Sequence, residues 1–168
     1  MKKFDLLTQF LKNVSFESPN VPELFFQQDN GQAKMEVGID IQIKSADNDM
    51  YMVDLHVKLH SLLETDSKTI FAIESIYTGL VHAETTENEE ELKKILLIEV
   101  PTMLFPSVKM LIEQIIMNSG FPPFKLQQVD FKELYESKPS PMGGTLKCEL
   151  QELGKKLKSA KCKKIDTD

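Results

Sequence analysis

In the stretch MEVGIDIQIK, apolar and polar residues alternate over ten positions. Met35, Val37, Ile39, Ile41 and Ile43 fall on one face, and Glu36, Gly38, Asp40, Gln42 and Lys44 on the other. A period of two is the repeat of a strand with one covered face and one wet face. SADND (45–49) is rich in turn formers. Alternation then resumes, with Tyr51, Val53, Leu55, Val57 and Leu59 set against Met52, Asp54, His56, Lys58 and His60. A second turn, ETDSK, leads into TIFAIESIYTG, which predicts a third long strand. An earlier run over residues 10–17, where Val14 and Phe16 alternate with Asn13, Ser15 and Glu17, predicts a strand that stops at Pro19 and Pro22. Four strands joined by hairpin-like links predict an antiparallel sheet.

After residue 83 the period changes. ETTENEEELKKILLIEVPTMLF places acids first and then Leu92, Ile95 and Leu96 at helical spacing, the order that complements a helix dipole. Pro101 is expected to break this run. PSVKMLIEQIIMNSG is the best helix: Pro106 suits a first turn, and Val108, Leu111, Ile112, Ile115 and Ile116 form a wide apolar stripe. Asn118-Ser119-Gly120 supplies the stop. FPPFKLQQVDF reads as an extended crossover and DFKELYES as a short helix capped by Asp130. The expected organisation is an α+β domain over 1–138, followed by a linker and lysine-rich tail over 139–168 that is flexible or loosely helical. Too few helices are available to cover both faces of the sheet. Self-association is therefore expected, with Leu111, Ile112, Ile115 and Ile116 at the oligomer interface.

Composition narrows the function classes. The chain has 168 residues, 41% hydrophobic and 27% charged, as in a soluble globular domain. Its net charge of −6 divides into +3 for residues 143–168, from seven Lys against four acids, and −9 for the rest. Every basic residue is Lys. An acidic body without Arg is a poor match for nucleic acid, which is excluded as a partner. Cys148 and Cys162 both lie in the tail without CxxC spacing, which argues against a disulfide scaffold or a zinc site. MKKFDLLTQFLKN has the lysines of a signal sequence but an acid where the apolar centre belongs, and reads as an amphipathic lead-in. Apolar runs are interrupted well short of the roughly 20 residues that cross a bilayer. A cytoplasmic protein with no membrane insertion is expected.

Chemistry-bearing clusters are sparse. His56 and His60 share the polar face of one strand, yet Lys58 between them is a poor neighbour for a metal, so a solvated face is the better reading. His82 stands alone at a strand end. No Ser–His–Asp order, nucleophile elbow or phosphate loop is present, and Glu89 and Glu91 compensate a helix start. No enzyme activity and no cofactor are expected. Phe25, Phe26, Phe121, Phe124, Phe131 and Tyr135 instead flank prolines or sit in short connections. They are either plugs of the core or the lining of an apolar groove.

Two motifs carry a resemblance. Phe16-Glu17-Ser18-Pro19-Asn20-Val21-Pro22 follows the pattern aromatic-Glu-x-Pro-Asn-x-Pro. Leu104-Phe105-Pro106, a helix, Gly120-Phe121-Pro122 and Val129-Asp130-Phe131 then follow at matching spacing. Over residues 10–136 the chain resembles the SecB-type protein-export chaperones. The resemblance implies a homotetramer, a dimer of dimers, that holds unfolded precursors of exported proteins and passes them to the SecA motor. It implies client binding by Val21, Leu24, Phe25, Val37, Ile39, Phe124, Leu126, Phe131 and Leu134, with Phe26 weighted lower. It implies motor contacts at Glu17 and Glu74, and at Asn13 and Ala72, where the family commonly has an Asp and a larger aliphatic. Three rivals stand beside it: a small apolar-ligand binding module, a metal enzyme using His56 and His60, and a SecB-like chaperone of a toxin–antitoxin pair.

Overall fold

Each alternating run forms a strand, and the strands are longer than the pattern predicts. The computed structural model describes residues 4–26, 32–46, 49–84, 89–137, 146–151 and 161–164. Strand β1 covers Phe4–Glu17, β2 Ala33–Ala46, β3 Met50–Leu63 and β4 Thr69–Ala83. The first residues are thus strand and not a separate lead-in. A tertiary contact accounts for it: Leu6 and Leu104 close over the backbone of Gly79, where a β-carbon would lie 3.1 Å from a methyl of each. The β3–β4 turn is held by the Ser67 N–H donating to the Leu63 carbonyl and the Leu63 N–H donating to that of Lys68. Ser67 adopts the left-handed conformation there, with φ 56°.

The four long strands form an antiparallel sheet in the order β1-β4-β3-β2. Two short strands extend it: β5 (Leu146–Gln151) pairs with β2, and β6 (Lys161–Lys164) with β5, both antiparallel. Over these two segments the chain is strand where a loose helix or flexible tail was expected for 139–168; the remaining residues of that tail lie outside those described. The physical reason lies in LKCELQ, where Leu146, Cys148 and Leu150 alternate with Lys147, Glu149 and Gln151, a strand period inside a lysine-rich segment.

Residues 89–118 run as continuous helix: α2 (Glu89–Lys94), a π-helical turn (Ile95–Glu99) and α3 (Val100–Asn118). Pro101 does not break the run. It sits directly after the π-helical turn, in which the Val100 N–H donates five residues back to Ile95, so the ladder has already changed register where the proline lacks its N–H. Pro106 lies inside α3 and not at its start. The run is long and apolar enough to cross a membrane by length and composition, which the broken apolar stretches did not predict. Its residues Val100, Leu104, Phe105, Val108, Ile112 and Ile116 are nevertheless fully buried, as in the core helix of a soluble protein. Helix α4 (Phe131–Glu136) begins at Asp130, whose side chain accepts from the Lys132 and Glu133 N–H groups.

The chain divides into two compact units, and each long strand contributes residues to both. In the unit of residues 1–13, 41–56 and 75–144, the core is Val53, Leu55, Val81 and Ala83 together with the inward face of α3, Leu126 and Phe131. Phe105 and Phe131 meet edge to face at 5.7 Å. In the unit of residues 14–40, 57–74 and 145–168, Met35, Val37, Ile39, Val57, Leu59, Phe71 and Ile73 form the core, and Phe16 stacks on Phe71 at 6.1 Å.

Candidate functional site

The segment after β1 is pinned where it leaves the strand. The Ser18 hydroxyl donates to the Ile70 carbonyl at 2.7 Å, and the Asn20 amide donates to that of Thr69 at 2.8 Å. These two bonds tie the loop to the first residues of β4. The chain then turns through 19–22 and forms a single helical turn, α1 (Glu23–Phe26), in which Leu24 N–H donates to Asn20 O and Phe25 N–H to Pro22 O. The prolines therefore sit in a folded turn. A helical turn rotates successive side chains by about 100°, and this sorts the three apolar residues. Leu24 points inward and is buried, whereas Phe25 is 49% exposed and Phe26 80% exposed. Val21 is half-buried.

The other unit carries the second group of expected client residues. After α3 the chain has no regular secondary structure over 122–130, and the Leu126 N–H donates to the Glu113 carboxylate at 2.9 Å. That charge-assisted bond holds the crossover to the helix. Leu126 and Phe131 are buried and serve the core; Phe124 and Leu134 are half-buried. On β2, Val37 and Ile39 are likewise buried, at 3% and 2% exposure. Of the nine residues, Val21, Phe25, Phe124 and Leu134 offer surface in a single chain, while Leu24, Val37, Ile39, Leu126 and Phe131 do not.

The residues expected to meet a motor protein lie on β1 and β4. Glu17, Asn13 and Glu74 are exposed, and Ala72 is half-buried. Glu74 forms an ion pair with Lys58 on β3 at 3.2 Å, both side chains being more than half exposed. Such a pair contributes about 1 kcal/mol at most, but it partly neutralises an acid that the resemblance places at the docking surface. His60 Nε2 lies 3.1 Å from the Thr69 hydroxyl, and no group of three potential metal ligands occurs among the described residues.

Sequence reasoning missed a polar cluster around Asp54. This carboxylate sits on the β3 face opposite Val53 and Leu55 and is only 2% exposed. One oxygen accepts from the Thr78 hydroxyl at 2.6 Å and the other from Lys12 Nζ at 2.9 Å, with Lys44 Nζ at 3.8 Å. Burial pushes its pKa up, but the Thr78 bond and the two lysines outweigh burial and hold it below the usual Asp value. The signal was a lone acid in mid-strand; its partners come from three other strands.

The stripe on α3 is also redistributed. Ile112 and Ile116, expected at an oligomer interface, are fully buried in the chain's own core, and Leu111 and Ile115 are half-buried. The exposed apolar line is Met103, Met110 and Met117, seven residues apart and so on one side of the helix. On β1, at the edge of the sheet, Leu7, Phe10 and Leu11 are exposed.

The family model described as SecB, preprotein translocase subunit SecB, matches residues 1–141. The protein-export protein SecB of Paramagnetospirillum magneticum is 32% identical over 134 residues, spanning 80% of this chain and 84% of that protein. That of Caulobacter vibrioides is 32% identical over 139 residues, 83% of each chain. Among solved structures, a SecB-like chaperone of Mycobacterium tuberculosis, in complex with a peptide from an antitoxin, superposes with a TM-score of 0.64 at 11% identity. The match covers 76% of this chain and 91% of that one, and establishes a shared fold.

Proposed function

The chain belongs to the SecB family, and from that premise we propose that it is a cytoplasmic holdase that binds unfolded precursors of exported proteins and delivers them to the SecA motor. The observation that carries the reading is the pair Phe25 and Phe26, two large aromatic side chains presented to solvent by a turn that is hydrogen-bonded to β4. Exposed aromatics on a pinned loop give apolar contact area at little cost in backbone entropy. Val21 adds partly exposed apolar surface in the same unit, Phe124 and Leu134 offer such surface in the other unit, and clients are non-selective because apolar burial is non-directional. The acidic balance of residues 1–142 keeps such a surface soluble and favours basic, unfolded chains.

Assembly as a homotetramer, a dimer of dimers, belongs to the same reading. Its support is the exposed apolar residues of the edge strand β1 and the methionine line of α3. Both are surfaces that a second copy would remove from water. Docking to the motor is assigned to Glu17, Asn13, Ala72 and Glu74, with Glu74 weakened as an acidic contact by Lys58.

Two measurements test the proposal. Light scattering is expected to give about four times 19.2 kDa, and a strict monomer would remove the tetramer. Substoichiometric protein is expected to suppress aggregation of a reduced, unfolded polypeptide; absence of suppression at any ratio would sink the holdase reading.

A further inference from the structure

The family match ends at residue 141, and two strands beyond it, β5 and β6, join the sheet. β5 lies antiparallel on β2 with Leu146 opposite Ile39, Cys148 opposite Val37 and Leu150 opposite Met35. β6 lies antiparallel on β5, and there Cys148 stands directly opposite Cys162. These are the two cysteines of the chain. We propose that β5 and β6 occupy the edge of β2 as a tethered antiparallel strand pair, and that a Cys148–Cys162 disulfide staples the two strands under oxidising conditions.

Backbone geometry carries the covalent half. Directly opposite residues of an antiparallel pair share a face, with Cα atoms about 4.5–5.5 Å apart. Disulfides span Cα distances of about 4.4–6.8 Å, so the register meets the requirement without backbone movement. The oxidant is a small-molecule disulfide. One cysteine thiolate attacks it, forming a mixed disulfide and releasing one small thiol. The other cysteine thiolate then attacks the protein sulfur of that mixed disulfide and releases the second. The two cysteines lose two protons and two electrons, and the small disulfide gains both as two thiols.

Register carries the other half. Without β5, β2 ends the four-stranded sheet, and a bare edge presents unpaired N–H and C=O groups that accept an extended chain. The tail sets its alternating Leu146, Cys148 and Leu150 beside Ile39, Val37 and Met35. An extended apolar client added to β2 needs those same backbone positions. The tail therefore competes with client for β2, and oxidation strengthens the competitor; this last step rests on the client-binding reading above.

The test uses the full-length protein equilibrated with oxidised glutathione or with dithiothreitol. Oxidation is expected to remove both alkylatable thiols and to yield a single intramolecular peptide cross-link between 148 and 162; thiols that stay free, or a cross-link between chains, would overturn the staple. Amide exchange across residues 34–39 of β2 is expected to slow about tenfold on oxidation, with no redox response in Cys148→Ser. Unchanged exchange in the cross-linked protein would overturn edge occupancy. The concentration for half-suppression of client aggregation is expected to rise about tenfold on oxidation, as for an edge open one-tenth as often, and to be redox-insensitive in Cys148→Ser. Aggregation suppression missing in both redox states refutes the holdase reading, while the mass and exchange results still decide the strand pair.

Discussion

Replacing Phe25 and Phe26 together by Ala separates a binding surface from a core. Moving a Phe side chain from full exposure to full burial is worth about 1.5–3 kcal/mol. Phe25 has about half of its surface left to bury and Phe26 about four-fifths. A client that covers both therefore gains about 0.7–1.5 kcal/mol from the first and about 1.2–2.4 kcal/mol from the second. Together these come to about 2–4 kcal/mol, of which the alanine methyl groups retain a small part. At 1.4 kcal/mol per decade, affinity for one client segment falls by about 30- to 700-fold. The fold has much less to lose: Leu24 anchors the turn, and the Ser18 and Asn20 bonds to β4 are untouched. Thermal unfolding should then shift by no more than the few degrees that about 1 kcal/mol produces in a domain of this size.

The assay is fluorescence anisotropy of a labelled, reduced and carboxymethylated polypeptide titrated with the wild type and the double variant, beside a melting curve for each. A dissociation constant within about threefold of wild type in a folded variant would refute the assignment of these aromatics to client binding. A melting temperature lowered by ten degrees or more would refute it in another way, because about 2 kcal/mol or more of lost stability means that the rings serve the core.

Other perturbations have equally definite outcomes. Phe131→Ala removes a fully buried ring and its edge-to-face partner. It should cost about 3–5 kcal/mol of stability by urea denaturation, with client affinity unchanged per folded molecule. Gly79→Val forces a branched side chain against Leu6 and Leu104 and should destabilise by about 1–3 kcal/mol, read as a lower urea midpoint. Asp54→Asn should cost about 1–2 kcal/mol at neutral pH, since Asn can still accept from Thr78 and the part-exposed lysines return to water. The Asp54 carboxyl is held below its unfolded value of about 3.8. Its stabilisation is therefore complete above that pH and lost as pH falls through the lower folded value, so the gap between wild type and variant should close in acid denaturation. If the proposed assembly uses the exposed line of α3, Met110→Lys with Met117→Lys, which places two charges on it, should lower the mass seen by light scattering; an unchanged mass would exclude that line from any subunit contact.

The strands were legible because one physical requirement, a covered face beside a wet one, writes itself at period two. Met35, Val37 and Ile39 are buried as the pattern requires, and so are Val53, Leu55, Val57 and Leu59. The Asp130 cap was legible for a similar reason, since an orphan N–H pair needs a short acceptor at one position. Failures began where distant residues decide the outcome. Residues 4–9 lack strong strand alternation and are recruited into β1. Pro101 stops an ordinary helix but is absorbed at the first turn that follows a π-helical turn. Asp54 read as one more polar residue of a wet face. Its partners Lys12, Lys44 and Thr78 are 42, 10 and 24 residues away in the chain, and only the sheet assembles them.

Sequence reasoning has a harder limit at the site itself, because apolar character says that a side chain avoids water without saying what covers it. Leu24, Phe25 and Phe26 are adjacent and similar, yet one turn of helix buries the first and presents the other two. Ile39 and Val37 satisfy the alternation of β2 whether a client or the chain's own core lies against them, and at 2–3% exposure it is the core. An aspartate at Ile39 would therefore test stability, leaving a charge in an apolar interior. One at Phe26, where most of the ring already meets solvent, would test binding with the fold intact. The same logic applies to α3, where Ile112 and Ile116 are buried in the chain's own core and the methionine line seven residues apart is exposed. On the holdase reading proposed above, function resides in the residues that the core did not take, and those are assigned by rotation about each helix and strand once the core is packed.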